Sequence, residues 1–202
     1  MWKKICKNIS KEQGQSLVEL ALTLPILLLL FLGLIELGFA LRAYLVMINA
    51  NREAARFASR GVYTDEQIAT RALIAFSGQL PVRTTGPNPN TGIIITRFHI
   101  PSESGLEATY DTPVYTTGTL TNSTRISPAQ YLVVLQQQHD EFNQDLIGTH
   151  PEAARASHEV VFVEIYYYHS QALHAPIVEW VFPDPLVLYS KTMIRLGLAR
   201  AY

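Results

Sequence analysis

A single cysteine, Cys6, occurs in this chain of 202 residues. An intramolecular disulfide and a cysteine-based zinc site are therefore excluded, and apolar packing has to supply the stability. Charge is scarce as well: Asp, Glu, Lys and Arg together make up 16% of the chain, against about 25% in typical soluble domains. Sixteen basic and seventeen acidic residues leave a net charge of −1, so no global polycation exists to hold nucleic acid. Lysine is missing altogether between Lys11 and Lys191. No G-x-S-x-G, P-loop, G-x-G-x-x-G or H-E-x-x-H pattern occurs, so the sequence offers no motif for a hydrolase elbow, a nucleotide cradle or a zinc protease. The expected cofactor list is empty.

What is abundant is apolar surface, 48% of residues, which rules out disorder of the whole chain. The length fits one domain with an appended segment. The charges are divided unevenly along it. Residues 1–60 carry Lys3, Lys4, Lys7, Lys11, Arg42, Arg52, Arg56 and Arg60 against Glu12, Glu19, Glu36 and Glu53, a net +4, whereas residues 61–202 sum to −5.

From Leu20 to Ile35 there is no charge, and allowing Glu36 the apolar stretch runs on to Leu41. Crossing about 30 Å of hydrocarbon takes about 20 helical residues, so the stretch is long enough for one transmembrane helix. A cleaved signal peptide is the first competitor, but its apolar core is usually only ~7–15 residues with small residues at the cut, and Leu41-Arg42-Ala43-Tyr44 lacks that pattern. A buried core helix is the second, and the run Ile26-Leu27-Leu28-Leu29-Leu30-Phe31-Leu32 has no polar face to match it. Four lysines before the span, set against Arg42, Arg52 and Arg56 after it, favour a cytoplasmic N-terminus by a small margin. Cys6 lies in that basic leader, too early for lipid attachment.

Gly14-Gln15-Ser16-Leu17-Val18-Glu19 stands flush against the apolar run. A glycine, four residues and then a glutamate at the head of a hydrophobic helix resembles the pattern that prepilin peptidases cut, here between Gly14 and Gln15. Glu19 has a physical task in that setting, because a carboxylate facing hydrocarbon costs several kcal/mol unless paired. Cleavage would place a new α-amine on Gln15, four residues away; the alternative is that Glu19 merely snorkels at the interface.

The stretch from Gly14 to Gly61 closely resembles the TadE-like family of tight-adherence pilus proteins. The likeness rests on Gly14-Gln15-Ser16-Leu17-Val18-Glu19-Leu20-Ala21-Leu22, Pro25 in the span, Glu36-Leu37-Gly38 near its far end, and Asn51-Arg52-Glu53-Ala54-Ala55-Arg56. The resemblance implies a minor pilin-like (pseudopilin) protein of a prokaryotic plasma membrane. It would be cut by a prepilin peptidase and would work with other pilin-like subunits and assembly-platform proteins in pilus biogenesis. Leu20, where major pilins of such systems usually carry tyrosine, and the chain's length both depart from the tiny filament subunits and disfavour a bulk-filament role.

Pro25 removes a backbone donor and crowds the carbonyl of Ala21, so a local loosening is expected. Glu36 lies about 100° round the helix from Glu19 and cannot share its partner. It is expected either to meet an arginine such as Arg42 of a neighbouring subunit or simply to lie near the outer headgroups. Helical pattern continues past Arg42, so one helix is expected from about Ser16 to Arg60. Ala50, Ala54 and Ala58 form a smooth stripe that either lets another helix or a sheet approach closely or packs on the chain's own domain.

The expected organisation is a leader over 1–14, a transmembrane helix over 15–41, a juxtamembrane extension over 42–60 and an exported α+β domain over 61–202. In that domain Thr64 and Gln67 make a capping box before a helix that ends at Gly78. A loop follows over 81–92, then a hairpin of Ile93–Ile100 with Leu106–Tyr110, and a threonine-rich surface loop over 111–127. Ser127, Pro128 and Gln130 open a further helix, carrying Tyr131, Leu132, Leu135 and Phe142, with Gly148 beyond its end. Val160–Tyr168 and Leu186–Leu196 read as strands, with Pro176, Pro183 and Pro185 between them. A small antiparallel sheet with helices over one face is expected.

His139, His150, His158, His169 and His174 match no metal-ligand spacing. Tyr166, Tyr167 and Tyr168 with Trp180 and Phe182 fit either core packing or an adhesive surface. Ser157-His158-Glu159 places neighbours whose side chains point apart on a strand, and an enzyme is not expected. Asn122-Ser123-Thr124 fits a glycosylation acceptor only formally, given the prokaryotic resemblance. Expected partners are the lipid bilayer, the peptidase and pilus components. The competing class is an unprocessed single-pass envelope protein whose exported domain binds a ligand.

Overall fold

The computed structural model describes residues 2–60, 63–100, 109–110, 115–117, 127, 129–137, 140, 158–173 and 183–196. Phe142, Gly148, Pro176, Trp180, Phe182 and the acceptor at Asn122 lie outside them. Helix α1 runs from Trp2 to Ala58, well ahead of the expected start near Ser16. Nothing in Trp2–Gln13 opposes helix, since that stretch holds neither proline nor glycine. Pro25 sits inside α1 without ending it. At the C-terminal end the Ser59 hydroxyl donates to the Arg56 carbonyl, and Arg56 places positive charge in the last turn, both favourable where carbonyls lack helical partners.

The chain divides into two compact units. The first comprises Met1–Arg42 with Ser170–Leu186. Its helix is exposed on every side through the apolar stretch, including Leu17, Leu22, Ile26, Leu30, Phe31 and Leu34. The most apolar 18-residue window has a mean hydropathy of 2.5 and none of it is buried. That excludes the core-helix reading, because a core helix covers its side chains with its own protein. Among the described residues it is the one helix long and apolar enough to cross a membrane.

The second unit, Ala43–His169 with Val187–Tyr202, is built on a sheet. Its strands are β1 (Thr91–Ile100), β2 (Thr109–Tyr110), β3 (Tyr115–Thr117), β4 (His158–His169) and β5 (Leu186–Leu196), the last beginning one residue inside the first unit. The order is β2-β1-β4-β5, and β3 also pairs with β1. β1 and β4 are antiparallel over ten residue pairs, from Thr91 opposite Tyr167 to Ile100 opposite His158. The continuous apolar run Ile93-Ile94-Ile95 marks β1 as a strand buried on both faces.

On one face Ile93, Ile95, Val161, Val163, Ile165 and Tyr167 pack with Ala43, Met47, Ala50, Ala54 and Ala58 of α1 and with Ile68, Ala72 and Phe76 of α2 (Asp65–Ser77). The expected capping box opens α2: Thr64 and Gln67 satisfy each other's backbone amides. On the other face Phe98, Ile100, Val160 and Phe162 pack with Leu135, Tyr131 and Leu132 of the helical residues 129–137. The α+β class agrees with expectation, but helix covers both faces rather than one. The alternation in β1 and β4 leaves apolar side chains on each face, and each needs cover.

Two further differences are local. The threonine-rich stretch expected as a loop contains β3, paired with β1 through Ile93–Ile95; threonine's β-branching suits a strand edge as well as a loop. Tyr166 and Tyr167 are buried. Tyr167 meets Phe76 edge to face with 5.2 Å between centroids, so these rings pack the core rather than form an adhesive surface.

Candidate functional site

The features singled out in the sequence lie at three levels along α1. At the first, Gly14 lies within the helix, and a methyl group added there would meet nothing within 4 Å. The next residue, Gln15, donates from Nε2 to Oε1 of Glu19 one turn further on, at 3.1 Å, both residues being exposed. Thr23 Oγ1 donates back to the Glu19 carbonyl at 2.9 Å, two residues ahead of Pro25. The carboxylate of Glu19 is therefore met by a neutral amide.

At the second level Glu36, 3% exposed, receives backbone donors from its own chain. The Ala172 N–H donates to both carboxylate oxygens, at 2.9 and 3.1 Å, and the Leu173 N–H to Oε2 at 3.3 Å. The preceding amide, Gln171 N–H, goes to Asp184 Oδ1 at 3.2 Å. Charge-assisted bonds of this kind are about twice as strong as neutral ones. Where a neighbour's Arg42 or bare proximity to headgroups was expected, the structure supplies a turn more than a hundred residues away in the same chain.

The third level is the motif Asn51-Arg52-Glu53-Ala54-Ala55-Arg56, whose members divide by helical face. Ala54 is fully buried in the sheet-facing core with Ala50 and Ala58, so the alanine stripe packs on its own domain. Asn51, fully buried, donates from Nδ2 to Ser190 Oγ of β5 at 2.7 Å. Glu53 accepts from Arg71 of α2 at 2.7 Å, with Arg56 at 4.0 Å. The Arg71 hydrogen bond, with the charges of Arg71, Arg56 and Arg60, outweighs some desolvation and lowers the pKa of Glu53 below the ordinary carboxylate value. Arg52 is exposed and lines a cleft of about 390 Å³ with Tyr44, Ile48, Tyr189, Ser190, Lys191 and Thr192. Lys191 is already engaged there, donating to the Tyr131 hydroxyl at 2.6 Å.

Two polar groupings escaped the sequence reading. Arg97 of β1 donates to Asp65, to the Tyr63 carbonyl at 3.0 Å and to Glu159 Oε2 at 3.0 Å, tying the start of α2 to the sheet. Burial works against its charge, but hydrogen bonds and charge from Asp65 and Glu159 prevail, and its pKa is raised. Glu164, fully buried on β4, accepts from the Tyr189 hydroxyl at 2.8 Å. Both depend on residues brought together by strand pairing, and no local spacing signals them.

No curated protein and no solved structure matches the chain. A family model does match, over residues 14–56, from Gly14 inside α1 through the helical patch that docks on the sheet. Over that segment, which holds Gly14, Glu19, Glu36 and the Asn51–Arg56 motif, the chain is consistent with a TadE-like protein.

Proposed function

We propose that this chain is a minor pilin-like (pseudopilin) subunit, without enzymatic activity, that takes part in assembling a tight-adherence type IV pilus. In this reading a prepilin peptidase cuts between Gly14 and Gln15. The helix spans the plasma membrane with its N-terminus in the cytoplasm, and residues 61–202 lie outside.

The observation that carries the proposal is Gly14. Glycine within a helix costs about 1 kcal/mol relative to alanine, and among the described residues no close approach of other atoms compensates for it. In this reading the residue serves recognition by a protease that needs a small residue before the cut. The family match begins at that same glycine. After cleavage the Gln15 side chain gains a competitor, the new α-amine, for the carboxylate one turn away. Amine and carboxylate are each costly beside hydrocarbon without the other, and an assembly satisfies both when the carboxylate of one subunit meets the amine of the next.

Mass spectrometry of the native membrane-inserted protein tests this directly: the mature chain is expected to start at Gln15. Recovery of Met1, or of peptides from Lys7–Gly14, on that form would overturn the proposal. It would favour instead an unprocessed single-pass envelope protein, for which the cleft beside Arg52 is the candidate ligand site.

A further inference from the structure

Glu36 lies seventeen residues after Glu19 on one continuous helix, about 25 Å further along it. The hydrocarbon core is about 30 Å thick. With Glu19 at the cytoplasmic edge, as in the reading above on which this inference rests, Glu36 reaches to within about 5 Å of the opposite edge. A lone carboxylate at that depth is costly, and so are the unpaired amides of a turn. Here each resolves the other, since Ala172 and Leu173 direct their N–H groups onto Glu36. The turn is closed behind them by Gln171 and Asp184. The β4–β5 connection is thereby tied to the spanning helix at the level where hydrocarbon gives way to headgroups.

The exposed residues described at the two ends of that connection are suited to lipid. Leu173 is 37% exposed, and Pro183 and Pro185 are exposed as well. Asp184 is the single formal charge among the described residues of the segment, and it already holds Gln171. No lysine or arginine occurs from residue 156 to residue 190, so attraction to anionic headgroups is not what would hold it; apolar contact with the interfacial layer is. We propose that the turn at residues 170–173, fastened to Glu36, rests on the outer surface of the bilayer with Leu173 in the interfacial layer. The chain then has a second lipid contact besides its spanning helix, and Glu36 is the positioning residue for it.

The test uses the full chain in a Cys6→Ser background, reconstituted in neutral phosphatidylcholine vesicles. Single cysteines at Leu173, at Leu28 in the span and at Val133, which is exposed on the helix of the second unit, carry an environment-sensitive fluorophore. The label at 173 is expected to be quenched by lipids bearing a shallow spin label and to lose most of its sensitivity to an aqueous reductant, as the label at 133 does not. Glu36→Leu is expected to return the label at 173 to water. Glu36→Gln, which keeps one acceptor oxygen for the amides, is expected to do so only in part. A label at 173 that behaves like the one at 133, while the label at 28 is shielded, overturns the lipid contact and leaves the span intact. A label at 28 open to the aqueous reductant overturns the spanning helix and this inference with it.

Discussion

The two halves of α1 are made of similar residues and meet different surroundings. Up to Ile35 its leucines, isoleucines and phenylalanines are exposed or half-exposed on every side. From Glu36 onwards one line of residues, Glu36, Ala40, Ala43, Met47, Ala50, Ala54 and Ala58, is buried. The first half needs a solvent as apolar as itself and has little use for exact shape, because lipid conforms to the side chains. From Ala43 to Ala58 the helix packs on a sheet, and there small residues at spacings of three and four let it approach closely. Hydrophobicity is a requirement on composition in one half and on shape in the other.

Truncations on the two halves should separate these requirements most sharply. Met47→Ala removes a fully buried side chain and is expected to cost about 2–5 kcal/mol in denaturant unfolding of the second unit in detergent. Leu28→Ala, on an exposed position, should stay within about 0.5 kcal/mol by the same measurement. Equal losses would mean that the front half also packs against protein.

Next in size is Arg97→Met, which leaves Asp65 and the Tyr63 carbonyl without their donor at the start of α2. Loss of hydrogen bonds to charged groups at this partly exposed site is expected to cost about 1–3 kcal/mol, with hydrogen exchange rising first in α2.

Glu53 gives a smaller, pH-dependent effect. Its pKa is lowered in the folded protein, chiefly by the hydrogen bond from Arg71. Its contribution to stability is therefore present above the ordinary carboxylate pKa of 4.5 and is lost as pH falls through the lowered value. Melting temperature followed downward from pH 6 should fall less steeply in Glu53→Gln than in the parent, and parallel curves would show that the ion pair adds nothing.

On the proposed function, Glu19→Gln is expected to leave stability, membrane insertion and the proposed cleavage after Gly14 almost unchanged, because an exposed i,i+4 contact is worth only ~0.2–0.5 kcal/mol. It should instead reduce co-purification with pilus components. Wild-type recovery of those partners would return Glu19 to a plain interfacial role.

Much of this fold was legible because its signals are local. The uncharged run of the span, the Thr64–Gln67 box and the bounds of β5 each follow from neighbours within a few residues. Assigning β3 to a loop, and placing all helices on one face, went astray because both depend on pairing: Thr116 becomes strand only by lying against Ile94, and residues 129–137 take their place from the face of β4 that Phe162 occupies. The partners of Glu36 and Asn51 lie 136 and 139 residues away, beyond any periodicity. One signal was present and underread. The alanine stripe was taken to start at Ala50, whereas the same spacing runs back through Met47, Ala43 and Ala40 to Glu36, and an acid on the buried line of a helix announces a partner.

The bond from Asn51 to Ser190 also sets a timetable. A ribosome adding ~5–20 residues per second needs on the order of ten seconds to make the intervening chain. A domain exported as it is made would keep Asn51 of α1 without its partner until β5 had followed it across the membrane. A factor that shields this helix face during translocation would raise the yield of folded protein without touching the finished structure.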